Sequence, residues 1–459
     1  MRNESLPDRP ETGRTDGGLP VLWDRRVIFV ANLLSLFFGN EKETGELMDQ
    51  VGPLETYGGR LVPVLDLIFR GDEDNVVVLE RRPDENLLGY FSRELGLRLP
   101  RIRLLSNQSY QNLRNDDPRK DPVIAKLVDG LVGHDDAWLD GFVTDVALER
   151  LGELLKLKTI SSQRASHCGN NKYLLHQHLA NNGLPVFDTW IAGGLSEVAD
   201  CLHGLRSQGY DRAAIKAQIG ASGIGIIRVD TGKPGDIPPF LFFEGPCLVQ
   251  GWLDASVSGV ANVRSPSVQC FLGDGHISLY DLTEQILSPD SVHEGNISPP
   301  PWIETEPETV EELYRQAEVA GRWLYLQGYR GTASVDFHVV FREGRPEVRV
   351  CEINARVTGA TYPSILARHF TPKGAWLMRN LRFEPKAVSS DLLERLDRAN
   401  ILYHPGMSTG ILPINFNTDL EGQVCKGQFL CLGPDPETLW GLLTEARDLL
   451  AVRGEFDRD

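Results

Sequence analysis

The sequence predicts an α/β protein assembled from several units, on three observations. The chain has 459 residues, more than one ordinary core accommodates, so two or three domains are expected. Short apolar runs alternate with helical patterns over residues 21–150, the signature of a small parallel sheet. Beyond Leu184, extended runs joined by Gly-rich loops dominate, which calls for a second and differently built unit.

Hydrophobic residues supply 41% of the chain and charged residues 24%, the profile of a soluble globular protein. Asp plus Glu number 64 against 47 Lys plus Arg. The resulting net charge of −17 repels phosphate backbones and anionic lipid, which argues against nucleic-acid or membrane binding. No stretch is long or apolar enough to span a bilayer. The seven cysteines are odd in number and form no CxxC pair. Reduced thiols and a cytoplasmic location are therefore expected, rather than a disulfide framework or a zinc knuckle. Arg25 and Arg26 before the apolar run 27–38 imitate a secretion signal. Acidic residues lie upstream and no small-residue cleavage site follows, so a first strand is expected there.

Residues 1–20, polar and rich in Gly and Pro, are expected to be a disordered tail. An α/β domain follows over 21–150. In it RVIFVAN, NVVVLE and IRLL are expected strands. RPDENLLGYFSRELG is an expected helix, with Pro83 ending the preceding strand and Gly96 past the last turn. A catalytic domain is expected over 151–388. It holds a helix opened by Lys172 and closed by the Asn181–Gly183 turn. A second helix starts at Thr305, which with Glu308 forms a capping box around Pro307. RFEPKAVSSDLLER reads as a linker followed by a helix. A small C-terminal α/β domain over 395–459 offers the strand-like NILYH, GILPINF and GQFLCLG, then a helix capped by Asp435.

Chemistry concentrates in the middle of the chain. In AAIKAQIGASGIGIIRV, Gly220, Ser222, Gly223 and Gly225 form a loop whose two flanks both read as strand. A Walker loop or dinucleotide turn leads into a helix, so neither fits. A glycine-rich hairpin can cover phosphates with bare backbone N–H groups, and Lys216 just before it can reach one. Taken alone, the loop reads equally as a hairpin beside a solvated lysine. Lys172 opposes the dipole of the helix it opens, a placement that asks for an anion. PCLVQGWLD ends an apolar strand at Gln250, Gly251 and Leu253, where backbone groups can read a flat base edge. Without neighbours that run is an ordinary core strand.

SVDFHVVFREGRPEVRVCEINAR carries the strongest physical argument. Two strand-like runs flank the turn REGRP, and a turn centred on Gly344 sets Asp336 opposite Glu352 across an antiparallel pair. Asn354, two residues further, shares that face. Two carboxylates meeting directly repel each other. A divalent cation relieves this, and two carboxylates with an amide oxygen suit Mg²⁺ bound together with phosphate oxygens. Arg356 follows at the strand end. A slip in register would put one carboxylate in solvent instead.

In this order — Lys172, Lys216 with GASGIG, the VQGWL strand end, Asp336, and Glu352-Ile-Asn354-Ala-Arg356 — the chain resembles the ATP-grasp ligases over about 165–385. The 21–150 domain resembles their pre-ATP-grasp domain, and the C-terminal domain that of peptide ligases of the pheganomycin type. The resemblance implies a two-lobed α+β ATP-grasp core with ATP and Mg²⁺. A carboxylate would be phosphorylated by ATP, and an amine would attack the acyl phosphate to give an amide, ADP and phosphate. Lys172, Lys216, Ser222 and Gly223 would hold the phosphates, and Gln250, Gly251 and Leu253 the adenine. Asp336, Glu352 and Asn354 would hold the metal, and Arg356 would act on the transferring phosphoryl group. Among the pheganomycin-type ligases the substrates implied are a guanidino-modified amino acid and a peptide amine, in antibiotic biosynthesis. The chain departs from many relatives at the hinge, where Gln250 stands for Glu and no acid for the ribose follows at the usual spacing.

The resemblance also admits an amino-acid or small-molecule amide ligase without a peptide acceptor, and the residues offer three further readings. GMSTG (406–410) matches a hydrolase nucleophile elbow, but a strand-like run holding Pro413 follows it, and all ten His precede Ser408. A non-catalytic nucleotide-binding protein is opposed by the intact Asp336–Glu352–Asn354–Arg356 set. His293, in the loop SVHEGNISPPP, is a substrate-side candidate. The sequence leaves room for a homo-oligomer.

Overall fold

The computed structural model describes residues 10–15, 17–21, 23–36, 58–69, 75–220, 225–254, 257–287, 293–342, 345–419, 421–450 and 452. Three sheets organise them. The chain opens with β1 (Glu11–Arg14) and then builds a parallel five-stranded sheet. Its strands are β2 (Val27–Val30), β3 (Val76–Leu79), β4 (Arg101–Leu104), β5 (Trp138–Gly141) and β6 (Lys158–Thr159), in the order β4-β3-β2-β5-β6. The buried VIFV and VVVL runs sit at its centre, as strands covered on both faces require.

A small antiparallel sheet follows: β7 (Thr189–Ala192), β8 (Arg212–Lys216), β9 (Ile226–Asp230) and β10 (Cys247–Gly251), ordered β7-β10-β8-β9. The helix Leu195–Ser207 packs on it through Val198, Cys201, Leu202 and Leu205. The ten-stranded sheet contains β11 (Val260–Arg264), β12 (Pro266–Leu272), β13 (His276–Leu287), β14 (His293–Ser298), β15 (Gly331–Arg342), β16 (Arg345–Asn354), β17 (Ala375–Ala387), β18 (Gly410–Thr418) and β19 (Val424–Gly433), with β1 paired to β13. The helix Pro307–Leu326 covers one face, burying Leu313, Ala317, Ala320 and Leu324 against Val268, Leu282, Val335 and Ile353. The opposite face carries the polar side chains described below.

Several local expectations are corrected. Part of the expected disordered tail is a strand: Glu11–Arg14 pairs in parallel with His276–Leu279, and Arg14 clamps Glu311 through two hydrogen bonds of 2.7 and 2.9 Å. The capping box does not form. The helix begins at Pro307, whose ring presets the helical φ, and the Thr305 hydroxyl donates to Trp302 O instead. RFEPKA is no linker but the end of β17. NILYH gives only a single bridge, from Leu402 to Ile411. Asp435 does cap the last helix, accepting from Thr438 N at 2.8 Å.

The C-terminal strands do not form a sheet of their own, because β19 pairs along most of β17. One hydrophobic core joins Val27, Phe29 and Val77 of the first sheet to Leu377, Leu412, Phe429 and Leu443. All seven cysteines are free thiols. No helix among the described residues is long and apolar enough to cross a membrane.

Candidate active site

The β15–β16 hairpin sets the site. Arg342 pairs with Arg345, so residues 343–344 alone connect the strands. The register then runs through His338/Arg349 to Phe337/Val350, and resumes at Asp336/Glu352 and Ser334/Asn354. Cys351 is therefore an extra residue, a β-bulge. Without it Asp336 would face Cys351, and Glu352 would turn to the apolar face that carries Val335. The expected pairing of Asp336 with Glu352 is present, but it arises from a two-residue connection plus a bulge, not from a turn centred on Gly344.

Around this pair the polar contacts are dense. Asp336 Oδ1 accepts from Ser267 Oγ at 2.6 Å and Ser334 Oγ at 3.1 Å. Asn354 Nδ2 donates to Asp336 Oδ2 at 2.9 Å and to Glu352 Oε1 at 3.4 Å. Lys172, the first residue of the helix Lys172–Asn181, sits behind a cap in which Asn171 accepts from Leu174 N. Its Nζ lies 3.2 Å from Glu352 Oε2 and donates to Gly220 O at 3.0 Å. Arg356 Nη1 donates to Asn170 Oδ1 at 2.6 Å, and Asn170 also ties down both backbone groups of Ala355.

Burial, then the charge of Glu352, push the Asp336 carboxyl up to about 6 against the pull of its two serines. Burial would raise Glu352 as well, but Lys172, Arg356 and Lys216 outweigh it and hold Glu352 below the usual range. The anionic pair is thus neutralised on the Glu352 side and short of positive charge on the Asp336 side. The donor set fits one hard divalent cation shared with phosphate oxygens: two carboxylates, and an Asn354 amide that presents its oxygen after a half-turn. Among the described residues no cluster of three or more His, Cys, Asp or Glu forms a self-sufficient cage.

A narrow cleft beside the pair is lined by Lys172, Lys216, Phe187, Leu248, Gln250 and Cys351, together with His176 and neighbouring apolar side chains. Lys216 ends β8, with Nζ 4.0 Å from Cys351 Sγ and 5.7 Å from the Phe187 ring centre. Gln250 Nε2 donates to Thr189 Oγ1 at 3.0 Å. Gly251 and Leu253 are not on this lining: Gly251 N is bonded to Asp188 O at 3.0 Å, and Leu253 packs in the small-sheet core. A Cβ at Gly251 would come within 2.5 Å of the Tyr210 ring, which accounts for glycine there. Asp254, the first acid after the hinge, is engaged by Arg212 at 2.5 Å. Ser222 and Gly223 lie outside the described residues. Ser408 precedes β18, so no helix follows it as an elbow requires.

His293 opens β14, away from this cleft lining. Its Nε2 is 2.8 Å from Asn296 Nδ2, and a Cβ on Gly359, just past Arg356, would lie 3.3 Å from its ring. His293 is exposed at the start of this strand, with Arg60, Arg379 and Lys426 nearby. Sequence reasoning missed four residues here: Ser334, Ser267, Asn170 and His338. Ser334 was findable, two residues from Asp336 on the same strand face. His338 has the same parity, meets Phe187 edge-on at 5.4 Å and is pushed down to about 4 by burial and by Lys216. Ser267 arrives through a pairing 69 residues distant and carries no local signal. Asn170 lies beside Lys172 in the same GNNK run, with nothing to mark its reach to Arg356.

No family model matches the sequence. A relative among characterised proteins is the [butirosin acyl-carrier protein]--L-glutamate ligase of Niallia circulans, 25% identical over 203 residues, 42% of this chain. The match spans 44% of that ligase's length. Solved structures align over nearly the whole chain. The ADP complex of PurK, N5-carboxyaminoimidazole ribonucleotide synthetase, has a TM-score of 0.56 at 13% identity, covering 94% of this chain and 97% of that one. The biotin carboxylase–βγ-ATP complex from Campylobacter jejuni also has a TM-score of 0.56 at 13% identity, covering 94% and 92%. N5-carboxyaminoimidazole synthase from Aspergillus clavatus, with ADP and 5-aminoimidazole ribonucleotide, gives 0.53 at 15%, covering 94% and 100%. The chain has the ATP-grasp fold of these enzymes.

Proposed function

We propose that this protein is an ATP-dependent carboxylate–amine ligase that works through an acyl phosphate and releases ADP and phosphate. One observation carries the reading: the bulged hairpin brings Asp336, Glu352 and Asn354 to one face, beside two lysines from separate elements and an arginine held by Asn170. Such a set suits phosphoryl transfer, which needs positioning and charge neutralisation more than covalent help.

In this reading Lys172 and Lys216 hold the phosphates of ATP, with Ser222 and Gly223 in the covering loop. The adenine enters the apolar cleft beside Phe187 and Leu248, with Gln250, Gly251 and Leu253 at its hinge end. Asp336, Glu352 and Asn354 hold Mg²⁺, which when bound neutralises phosphate charge. Arg356, its fork aligned by Asn170, binds the transferring phosphoryl group and then the oxyanion formed as the amine attacks. Lys172 bridges the two halves of this machinery, touching both Glu352 and the backbone of Gly220.

The finer reading is a cytoplasmic peptide ligase of antibiotic biosynthesis, joining a guanidino-type amino acid to a peptide amine. The Niallia circulans relative is a ligase for L-glutamate, which supports an amino acid as one partner. The test is ADP release that requires both a carboxylate and an amine. With ¹⁸O in the substrate carboxylate, label is expected in phosphate. AMP and pyrophosphate as products would overturn the mechanism, and nucleotide binding without turnover on any acid–amine pair would favour a non-catalytic nucleotide-binding role.

A further inference from the structure

Gln269 stands where a strand interior would ordinarily carry an apolar side chain. It lies in β12, between β13 and β15, and pairs with Ser334. Directly opposed residues share a face, as do residues two apart on one strand, so Gln269 is on the side of Ser267 and Asp336. Its side chain is completely buried, and a buried amide is tolerated only where its polar atoms are bonded. Both ends of Gln269 are. Nε2 donates to Ser267 Oγ at 2.9 Å, and Oε1 accepts from Thr358 Oγ1 at 3.2 Å.

The bonds on either side give this run a direction. Thr361 Oγ1 accepts from Thr358 N at 3.0 Å and lies 3.1 Å from Thr358 Oγ1. The Thr358 hydroxyl proton is committed to Gln269, so Thr361 is the donor in that contact. Gln269 in turn fills an acceptor site on Ser267, whose proton goes to Asp336 Oδ1 at 2.6 Å. Every proton in the run Thr361–Thr358–Gln269–Ser267 therefore points toward the Asp336 carboxylate, the sense in which successive hydrogen bonds strengthen one another. Turned end for end, the amide would offer Oε1 to Ser267 and draw its proton away from Asp336.

The two ends of the run serve different parts of the site. At one end, Ser267 and Ser334 both donate to Asp336 Oδ1, which leaves Oδ2 facing Asn354. At the other, Thr358 stands two residues past Arg356, in the loop between β16 and the helix Thr361–Phe370. Asn170 holds that loop at its start, through Arg356 and Ala355. Gln269 holds it further on, through Thr358.

Resting on the ligase reading above, we propose that Gln269 is a positioning residue for the reaction. It aims the Ser267 hydroxyl at Asp336, so that Oδ2 is left for the metal, and it anchors Thr358, so that the loop carrying Arg356 keeps its place beside the metal ligands. Thr358 sets the sense of the amide, and the amide sets the sense of Ser267. A change at Thr358 is thereby felt at Asp336 without touching any metal ligand.

The test reads metal binding as well as turnover. Mg²⁺ affinity is measured by calorimetry on the full chain held with a non-hydrolysable ATP analogue. Gln269→Met, close in size and without polar ends, is expected to weaken Mg²⁺ about tenfold and lower kcat about tenfold, with the analogue's affinity in the absence of metal unchanged. Thr358→Val is expected to weaken Mg²⁺ about threefold in the otherwise native chain, and to have no such effect on a Ser267→Ala background. A folded Gln269→Met protein with native Mg²⁺ affinity overturns the proposal. So does a Thr358→Val effect on Mg²⁺ that is absent in the native background or equal in both; this second pair decides alone if Gln269→Met does not fold. Lack of ADP release by the native chain on every acid–amine pair would instead sink the ligase reading, and the Mg²⁺ measurements would still decide whether Gln269 acts on Asp336.

Discussion

Two hairpins meet at the cleft, and they are built on opposite plans. In β8–β9 the register is regular from Arg212/Asp230 to Lys216/Ile226, and the proposed phosphate contact, Lys216, lies at its end. In β15–β16 the proposed metal ligands lie on the strand bodies, and an irregularity at Cys351 decides which face they occupy. The first hairpin presents a positive charge that a phosphate can meet. The second sets two carboxylates against each other, where the proposed Mg²⁺ would sit between them. A regular hairpin can donate a group from its tip; a group in the body of a strand is placed by register, and one extra residue reverses it.

The sharpest break of this contrast is deletion of Cys351. Glu352 should move to the Val335 face, with turnover falling on the order of 10³-fold, as in Glu352→Gln. Cys351→Ala keeps the bulge and should keep most activity. ADP release and circular dichroism of the three variants decide; normal turnover in the deletion would show that the bulge does not set the site. Next, Arg356→Lys keeps the charge but loses the planar fork, and turnover should fall about 10²-fold with little change in nucleotide affinity. A parallel loss of nucleotide affinity would place Arg356 in ground-state binding instead.

A smaller effect is expected from the regular hairpin. Lys216→Ala removes one charge-assisted phosphate contact and should raise the KM for ATP about tenfold, leaving kcat nearly unchanged. Smallest is a stability effect on the other side of the contrast. The folded-state pKa of Asp336, about 6, lies above its unfolded value, so this carboxyl's own contribution to metal-free stability is fullest below about pH 4 and is lost as pH rises through 6, while Glu352, held below its unfolded value, contributes in the opposite direction. Asp336→Asn should abolish turnover yet raise the metal-free Tm by about 2–5 °C at pH 7.5 and flatten this pH dependence. The wild-type gain in Tm on adding Mg²⁺ should be larger at pH 7.5 than at pH 5, because below about 6 the ion must displace a proton. A lower Tm for the Asn variant at pH 7.5 would mean that the two carboxylates are not in conflict.

What the sequence made legible follows the same division. The VIFV and VVVL strands, the helix opened by Lys172 and the Asp435 cap all rest on local periodicity and capping chemistry, and they stand. Lys172, Lys216, Asp336, Glu352, Asn354 and Arg356 were readable as types and order; Lys172 and Lys216 line the cleft, and Asp336, Glu352 and Asn354 lie together beside it. The bulge was not readable, since nothing about Cys351 as a residue type marks it as unpaired. Ser267, Gly251 and the strand Glu11–Arg14 were missed or misjudged because long-range pairing decides their surroundings. RFEPKA read as a linker because a proline and charges argue against a strand, yet its polar residues lie on the exposed end of β17.

The core shared by the first sheet and the last strands also constrains how the molecule is made. One face of the five-stranded sheet is closed early, by Ile124, Leu127, Leu148 and Leu151 of its own helices. The other face, with Val27, Phe29, Val77 and Leu79, is covered in part by the unit's own Leu65, Leu87, Tyr90 and Phe91, and its core is completed by Leu366, Leu377, Leu412, Phe429 and Leu450. On the ribosome the first unit therefore emerges with part of this core missing, and it stays so until almost the whole of this sequence has been synthesised. Such a nascent chain keeps an apolar edge open for most of its translation, the form that holdase chaperones bind and that aggregates when they are scarce.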